Sequence, residues 1–113
     1  MIQIYHNPRC RKSRETLAMV ESSGQPFEVI EYLKTPPTPG ELKALLQKLE
    51  LEANQLVRKG ETIWKTQFKG KDLTESEILS AMAQYPKLIE RPIVVKGPRA
   101  ILGRPPENVR DLL

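Results

Sequence analysis

The sequence of 113 residues has little of several residue types, and each shortage excludes a class of protein. It contains one cysteine, so an internal disulfide cannot form, and such a chain is typical of a reducing compartment. Aromatic residues make up only 5%, too few for base-stacking platforms that bind nucleic acid. No apolar run approaches the roughly 20 residues that span a bilayer, and no signal-peptide pattern opens the sequence. We therefore expect a cytoplasmic protein with no membrane partner.

The residues that are present are typical of one globular domain, because 39% are hydrophobic and 28% are charged. The formal net charge of +4 favours anionic ligands, but it is too small and scattered to indicate nucleic acid. No Cys/His cluster predicts a metal site, and no glycine-rich loop before a helix predicts a bound nucleotide cofactor. We expect a single domain over residues 1–113 that is monomeric and has no bound cofactor.

The pattern along the chain predicts an α/β protein with the order β-α-β, a helical block, and β-β-α. Ile2–Tyr5 is a short apolar run, a helix follows from Cys10 to about Ser23, and Phe27–Tyr32 alternates as a strand. A strand-helix-strand unit of this length favours a right-handed crossover between parallel strands. Ile93–Val95 and Ala100–Leu102, separated by a turn, predict an antiparallel hairpin before a short terminal helix.

Two capping boxes delimit the helical block, at Thr38–Glu41 and Thr74–Glu77. Leucines at helical spacing follow the first box, and Ile78, Ala81, Met82 and Tyr85 follow the second. Between these helices, Ala53–Lys59 predicts a short helix, and residues 61–71 are either a loop or an irregular helix.

The single cysteine, Cys10, lies where the first strand ends and the first helix begins. Unpaired backbone N–H groups and the helix dipole make this position electropositive, and nearby basic side chains add to that: Arg9, Arg11, Lys12 and Arg14. Such surroundings favour the thiolate, which is the nucleophilic form of cysteine, and the same N–H groups bind oxyanions. The alternative is a small buried hydrophobe, but the charged neighbours on both sides argue against a core position.

Two further polar residues could act on this thiol. Ser13 follows three residues after Cys10, so its hydroxyl could donate to the thiolate, although it is also an ordinary first-turn helix residue. His6, the only histidine, could be a cation that stabilises the thiolate, a base that moves protons, or a structural residue.

Four segments together resemble the glutaredoxin-linked arsenate reductase family. Tyr5–Arg14 resembles the active-site motif, and Leu56–Lys59, Arg91–Val94 and Gly103–Pro106 resemble further motifs in the family's order and spacing. The resemblance covers essentially the whole chain. It implies a thioredoxin-like α/β fold, with a mixed four-stranded sheet and a helical insertion at about 38–88.

The resemblance also implies roles for individual residues in arsenic detoxification. Cys10 would attack arsenate, and three arginines would bind the oxyanion and its later products: Arg58, Arg91 and Arg104. His6 and Ser13 would tune the thiol, and Pro92 would form a cis peptide opposite Cys10. Arg11 departs from the small residue that many family members carry after the cysteine, which leaves the substrate preference open.

Regeneration of the thiol requires an outside partner, because the sequence has no second cysteine. Ser13 stands where a dithiol enzyme has its second cysteine. We therefore expect glutathione as co-substrate and glutaredoxin as protein partner.

Two other functions remain open. One is a redox-responsive regulator that binds RNA polymerase, although such regulators typically have two cysteines in this motif. The other is a glutathione-dependent thiol reductase of an organic or protein substrate, although arginines at positions 58, 91 and 104 favour an inorganic oxyanion.

Overall fold

A computed structural model describes every residue from Met1 to Leu113. Two compact units make up the chain: the first combines Met1–Thr35 with Arg91–Leu113, and the second is Pro36–Glu90. The second unit covers the segment that the sequence assigns to a helical insertion. None of the helices is both long and apolar enough to cross a membrane.

The first unit contains one mixed sheet, an α-helix and a 3₁₀ helix. In chain order its elements are β1 (Ile2–Tyr5), α1 (Arg11–Ser22), β2 (Phe27–Ile30), β3 (Ile93–Lys96), β4 (Arg99–Leu102) and the C-terminal 3₁₀ helix (Pro106–Leu112). The sheet has the order β2-β1-β3-β4, with β1 and β2 parallel and the other neighbours antiparallel. The predicted parallel crossover, hairpin and four-stranded mixed sheet are confirmed.

Helix α1 packs a narrow face into this unit. Ser13, Thr16 and Val20 are buried, at the spacing that places residues on one side of a helix. The turn after α1 contains Gly24 at φ +72°, a left-handed conformation that glycine adopts without a steric cost. The core combines sheet, α1 and 3₁₀-helix residues: Ile2, Ile4, Val20, Val94, Val109 and Leu112.

The second unit is helical. Its elements are α2 (Pro39–Leu49), α3 (Ala53–Leu56), α4 (Thr62–Gln67), α5 (Glu75–Gln84) and a 3₁₀ turn (Pro86–Leu88). Both predicted capping boxes are present. At α5 the Glu77 N–H donates to Thr74 Oγ1 at 3.2 Å, and the Thr74 N–H donates to the Glu77 carboxylate at 2.9 Å. This backbone hydrogen bond from Thr74 lowers the pKa of Glu77.

Two boundaries and one segment differ from those predicted. β2 ends at Ile30, and Tyr32, predicted as its last residue, is buried beyond the strand. α3 ends at Leu56 rather than Lys59, because the chain then pairs with a neighbouring segment: the Arg58 N–H donates to the Leu88 carbonyl at 2.7 Å. Residues 62–67, left open between loop and irregular helix, form the regular helix α4.

Candidate active site

Three of the predicted site segments lie at the same end of the sheet. β1 ends at Tyr5, which pairs with Ile93 at the start of β3, and Ile93 pairs with Leu102 at the end of β4. The ladder continues one step further, because the Gly103 N–H donates to the Pro92 carbonyl at 2.9 Å. The chain that leads from β1 to Cys10 therefore begins at the edge where Arg91 precedes β3 and Arg104 follows β4.

Cys10 is the N-cap residue of α1 and is half-buried, with a free thiol. Its N–H donates to the Asn7 carbonyl at 3.0 Å, and its own carbonyl accepts from the Arg14 N–H at 3.0 Å. The first N–H groups of a helix have no partner within the helix, so they present positive charge where α1 begins. The predicted position of the thiol, between a strand and a helix start, is confirmed.

A buried hydrogen-bond network lies beside this helix start. His6 Nδ1 and Ser13 Oγ are 2.7 Å apart, and the Asn7 N–H donates to the same hydroxyl oxygen at 3.0 Å. Both His6 and Ser13 are buried. The structure therefore joins these two predicted site residues to each other, with Asn7 as a third member.

The charge of His6 follows from its position. Burial lowers the pKa of His6 below its ordinary value of 6.5; the nearby Glu31 carboxylate opposes this shift and Arg14 adds to it. The neutral imidazole is therefore the main form at pH 7. This result disfavours the cationic role that the sequence left open for His6.

A neutral imidazole leaves two hydrogen arrangements. If Nδ1 is unprotonated, the Ser13 hydroxyl donates to it. If Nδ1 carries the proton, it donates to Ser13 Oγ, and the hydroxyl hydrogen is then free for another acceptor. The Ser13 hydroxyl contacts His6 and Asn7, and its donation to the Cys10 sulfur stays a prediction.

Arg91 and Arg104 lie together at the sheet edge. Arg104 Nη1 donates to the Arg91 carbonyl at 3.2 Å, and both residues are half-buried. Each precedes a cis peptide bond, Arg91–Pro92 and Arg104–Pro105. The cis form of Pro92 is confirmed, whereas that of Pro105 was not predicted.

Arg58 belongs to the second unit. Its guanidinium lies 3.4 Å from a Glu61 oxygen and 3.5 Å from a Glu90 oxygen, and its side chain is about one-quarter exposed (25%). Arg58 therefore pairs with two carboxylates. The family motif that contains Arg58 did not indicate this pairing. Its role towards an oxyanion stays a prediction.

The basic residues around Cys10 are exposed: Arg9, Arg11, Lys12 and Arg14. Arg11 pairs with Glu15 at 3.0 Å, and Arg14 Nη1 donates to the Pro8 carbonyl at 3.0 Å. Arg14 thereby holds the loop before the thiol, in addition to carrying charge. No group of three or more His, Cys, Asp and Glu side chains is arranged to hold a metal ion.

Sequence reasoning missed two residues that shape the site. Asn7 fixes the loop through three bonds, since its side-chain oxygen also accepts from the Arg9 N–H at 3.0 Å. The Asn-Pro pair is a turn signal that could have identified it. Gly103 is packed so tightly that a Cβ atom there would meet Pro92 Cγ at 2.8 Å and Thr16 Oγ1 at 2.9 Å. The requirement for glycine at position 103 follows only from these tertiary contacts, which the sequence does not show.

A mixed sheet, a thiol at the start of the helix after β1, and a cis-proline before β3 define the thioredoxin-like class. Comparisons with known proteins agree and are more specific. The profile of the ArsC family matches residues 5–112. The chain is 48% identical to a solved arsenate reductase from Vibrio cholerae, with a TM-score of 0.95 and coverage of 99% of this chain and 97% of that one.

Two curated relatives match over nearly their full length. An arsenate reductase of Neisseria meningitidis is 41% identical, covering 99% of this chain and 97% of that protein. The uncharacterized protein YfgD of Escherichia coli is 43% identical, covering 99% and 96%. The chain belongs to the ArsC family, whose named relatives include arsenate reductases.

Proposed function

We propose that this protein reduces arsenate to arsenite, with Cys10 as the nucleophile and glutathione and glutaredoxin as the source of electrons. The observation that supports the proposal is that the chain leaves β1 towards the half-buried Cys10 at the same end of the sheet where Arg91 precedes β3 and Arg104 follows β4. The family membership and the relatives named arsenate reductases support the choice of oxyanion.

The first step is attack of the Cys10 thiolate on arsenic. A sulfur–arsenic bond forms, and one arsenate oxygen leaves as hydroxide, which becomes water on protonation. Guanidinium groups suit this step because they are planar, permanently charged donors that match oxyanion oxygens. Arg91 and Arg104 would hold the remaining oxygens, and the free N–H groups at the start of α1 would favour the same negative charge.

The second step transfers two electrons to arsenic. A glutathione thiolate attacks the Cys10 sulfur, the sulfur–arsenic bond breaks, and its electron pair leaves with arsenic as arsenite. The two sulfurs are oxidised to a Cys10–glutathione mixed disulfide. A thiol of glutaredoxin or of a second glutathione then attacks the glutathione sulfur, releases the Cys10 thiolate and completes the cycle.

The His6–Ser13 pair would serve this cycle without a change of charge. When His6 holds its proton on Nδ1, the Ser13 hydroxyl can donate to the Cys10 thiolate. When the thiolate is consumed, the imidazole can lose its proton from Nδ1 to water and take one up on Nε2, so it stays neutral and the hydroxyl can then donate to Nδ1. This role follows from the neutral imidazole and requires no cationic histidine.

The test is arsenate-dependent consumption of glutathione, with glutaredoxin supplied. Cys10→Ser should lower the rate by at least about a hundredfold, because the nucleophile is removed. Arg104→Lys should lower kcat/KM for arsenate by about tenfold or more, since the charge stays but the two-pronged guanidinium is lost. Arg99→Lys, at the other end of β4, is the matched control and should leave the rate unchanged.

Mass spectrometry after one turnover should find glutathione on Cys10. Repeated turnover without any added thiol would refute the electron source. If glutathione consumption instead required a disulfide substrate and ignored arsenate, the protein would be a thiol reductase and the proposal would be wrong.

A further inference from the structure

A cavity of about 340 Å³ lies beside the Cys10 loop and has no role in the steps above. Residues 6–9, which follow β1, form one wall, and Glu31, Leu33 and Lys34, which follow β2, form the other. β1 and β2 are parallel, and the His6 N–H donates to the Ile30 carbonyl at 2.9 Å, so both walls lie beyond the carboxyl ends of paired strands. This is also the end of the sheet from which the chain leaves β1 towards Cys10.

The cavity lies close to the Cys10 sulfur, because one of its walls is the segment of chain that directly precedes Cys10. Arg9 in its wall is followed directly by Cys10, and the Cys10 N–H donates to the Asn7 carbonyl, closing a turn over Pro8 and Arg9. The Cα atoms that flank such a turn lie within about 7 Å of each other. An extended tripeptide reaches roughly 10 Å, so its two ends can contact the charged side chains of the cavity while the side chain of its middle residue is directed towards Cys10.

The charges of the cavity match a ligand with two carboxylates and one ammonium group. Arg9 and Lys34 are exposed cations, whereas Glu31 is a half-buried carboxylate 3.5 Å from Lys34 Nζ. Pro8 and Leu33 supply apolar surface, and Leu33 is one of three large apolar side chains that are exposed, with Met1 and Val29. The volume lies at the lower end of the range of about 300–1,000 Å³ that small-molecule sites occupy.

We propose that this cavity is the glutathione subsite, in which Arg9 and Lys34 hold the tripeptide's carboxylates and Glu31 holds its ammonium group. The proposal rests on the proposed function, since glutathione is the electron donor there. It adds where the donor binds: on the β2 side of the Cys10 loop, with the thiol directed along that loop towards the Cys10 sulfur.

The first experiment measures binding without turnover. S-methylglutathione has a blocked thiol, so it reports binding without any redox step. Titrated into the whole protein, it should give saturable amide shifts at Asn7, Arg9 and residues 31–34. The dimethyl ester of the same compound lacks both carboxylate charges and should bind at least about fivefold more weakly, as expected for two partly exposed charge pairs.

Variants with matched controls then test the assigned side chains. Arg9→Ala and Lys34→Ala should each raise the Kd for S-methylglutathione about two- to fivefold. Lys96→Ala and Arg99→Ala remove the same charges from the β3–β4 turn and should change the Kd less than twofold. Lys96 pairs with Ile2, and β1 extends roughly 13 Å from there to His6, so these controls lie far from the cavity.

Three results would overturn the subsite. One is saturable shifts that avoid residues 7–9 and 31–34, and another is equal weakening by the control variants. The third is glutarate binding as tightly as S-methylglutathione, which would indicate a general anion site. These readouts need no arsenate: loss of binding with intact arsenate reduction refutes only the subsite, whereas binding without arsenate reduction refutes only the proposed function.

Discussion

At the scale of single residues, His6 shows how burial decides a chemical role. The sequence identifies it as the only histidine and places it at the end of β1, but leaves cation, base and structural residue open. Those roles differ in protonation, which depends on desolvation by neighbours that are distant in sequence. The structure supplies these neighbours: Ser13 at 2.7 Å, and the charges of Glu31 and Arg14.

We predict that the buried His6 makes stability fall as pH is lowered from 7.5 towards 5.5. Its pKa is lower in the folded than in the unfolded state, so the unfolded chain binds more protons as the pH falls through about 6.5. His6→Asn, which keeps a polar atom near Ser13, should flatten this dependence. The wild-type-minus-variant difference in the free energy of unfolding should rise with pH by at most about 1.4 kcal/mol per unit. Urea titrations measure it, and parallel curves for the two proteins would contradict the prediction.

At the scale of elements, local signals determined which helices could be predicted. α2 and α5 have capping boxes and periodic apolar residues, and both were located correctly. α4 has neither, and a six-residue helix is marginal on its own. It is stabilised by burial of Trp64 and by the ring contact between Phe68 and Tyr85, whose centroids lie 6.0 Å apart. Such contacts exist only after folding, so the sequence pattern could not reveal them.

The contribution of the capping box at Thr74 to stability can be measured by substitution. Thr74→Ala removes the hydroxyl that accepts from the Glu77 N–H, and should lower the free energy of unfolding by about 1 kcal/mol. Ser76→Ala, an exposed change in the same first turn, is the control and should stay within about 0.5 kcal/mol of wild type. Equal effects of the two substitutions in denaturant titrations would show that the cap contributes nothing.

At the scale of the whole molecule, the excess of positive charge, part of which is exposed around Cys10, should attract anions towards the thiol. The formal net charge is +4, and four basic side chains flank the thiol: Arg9, Arg11, Lys12 and Arg14. A field of this kind raises the local concentration of anions and is screened by salt.

We predict that iodoacetate, an anion, alkylates Cys10 with a rate that falls about twofold to tenfold between low and physiological salt. Neutral iodoacetamide should show little change over the same range, and serves as the control for altered thiol reactivity. The ratio of the two rates should exceed the ratio for free cysteine at low salt. If the ratio of the iodoacetate rate to the iodoacetamide rate were the same at every salt concentration, the surrounding charge would have no effect on the reaction at Cys10.

The first unit is discontinuous in sequence, and this has a consequence during protein synthesis. Arg91 and Arg104 are translated 81 and 94 residues after Cys10, and β3, the antiparallel partner of β1, follows Arg91. At a ribosomal rate of about 5–20 residues per second, these arginines are added roughly 4–19 s after Cys10. During that interval the nascent chain has the proposed nucleophile but not the two arginines that we propose bind the oxyanion.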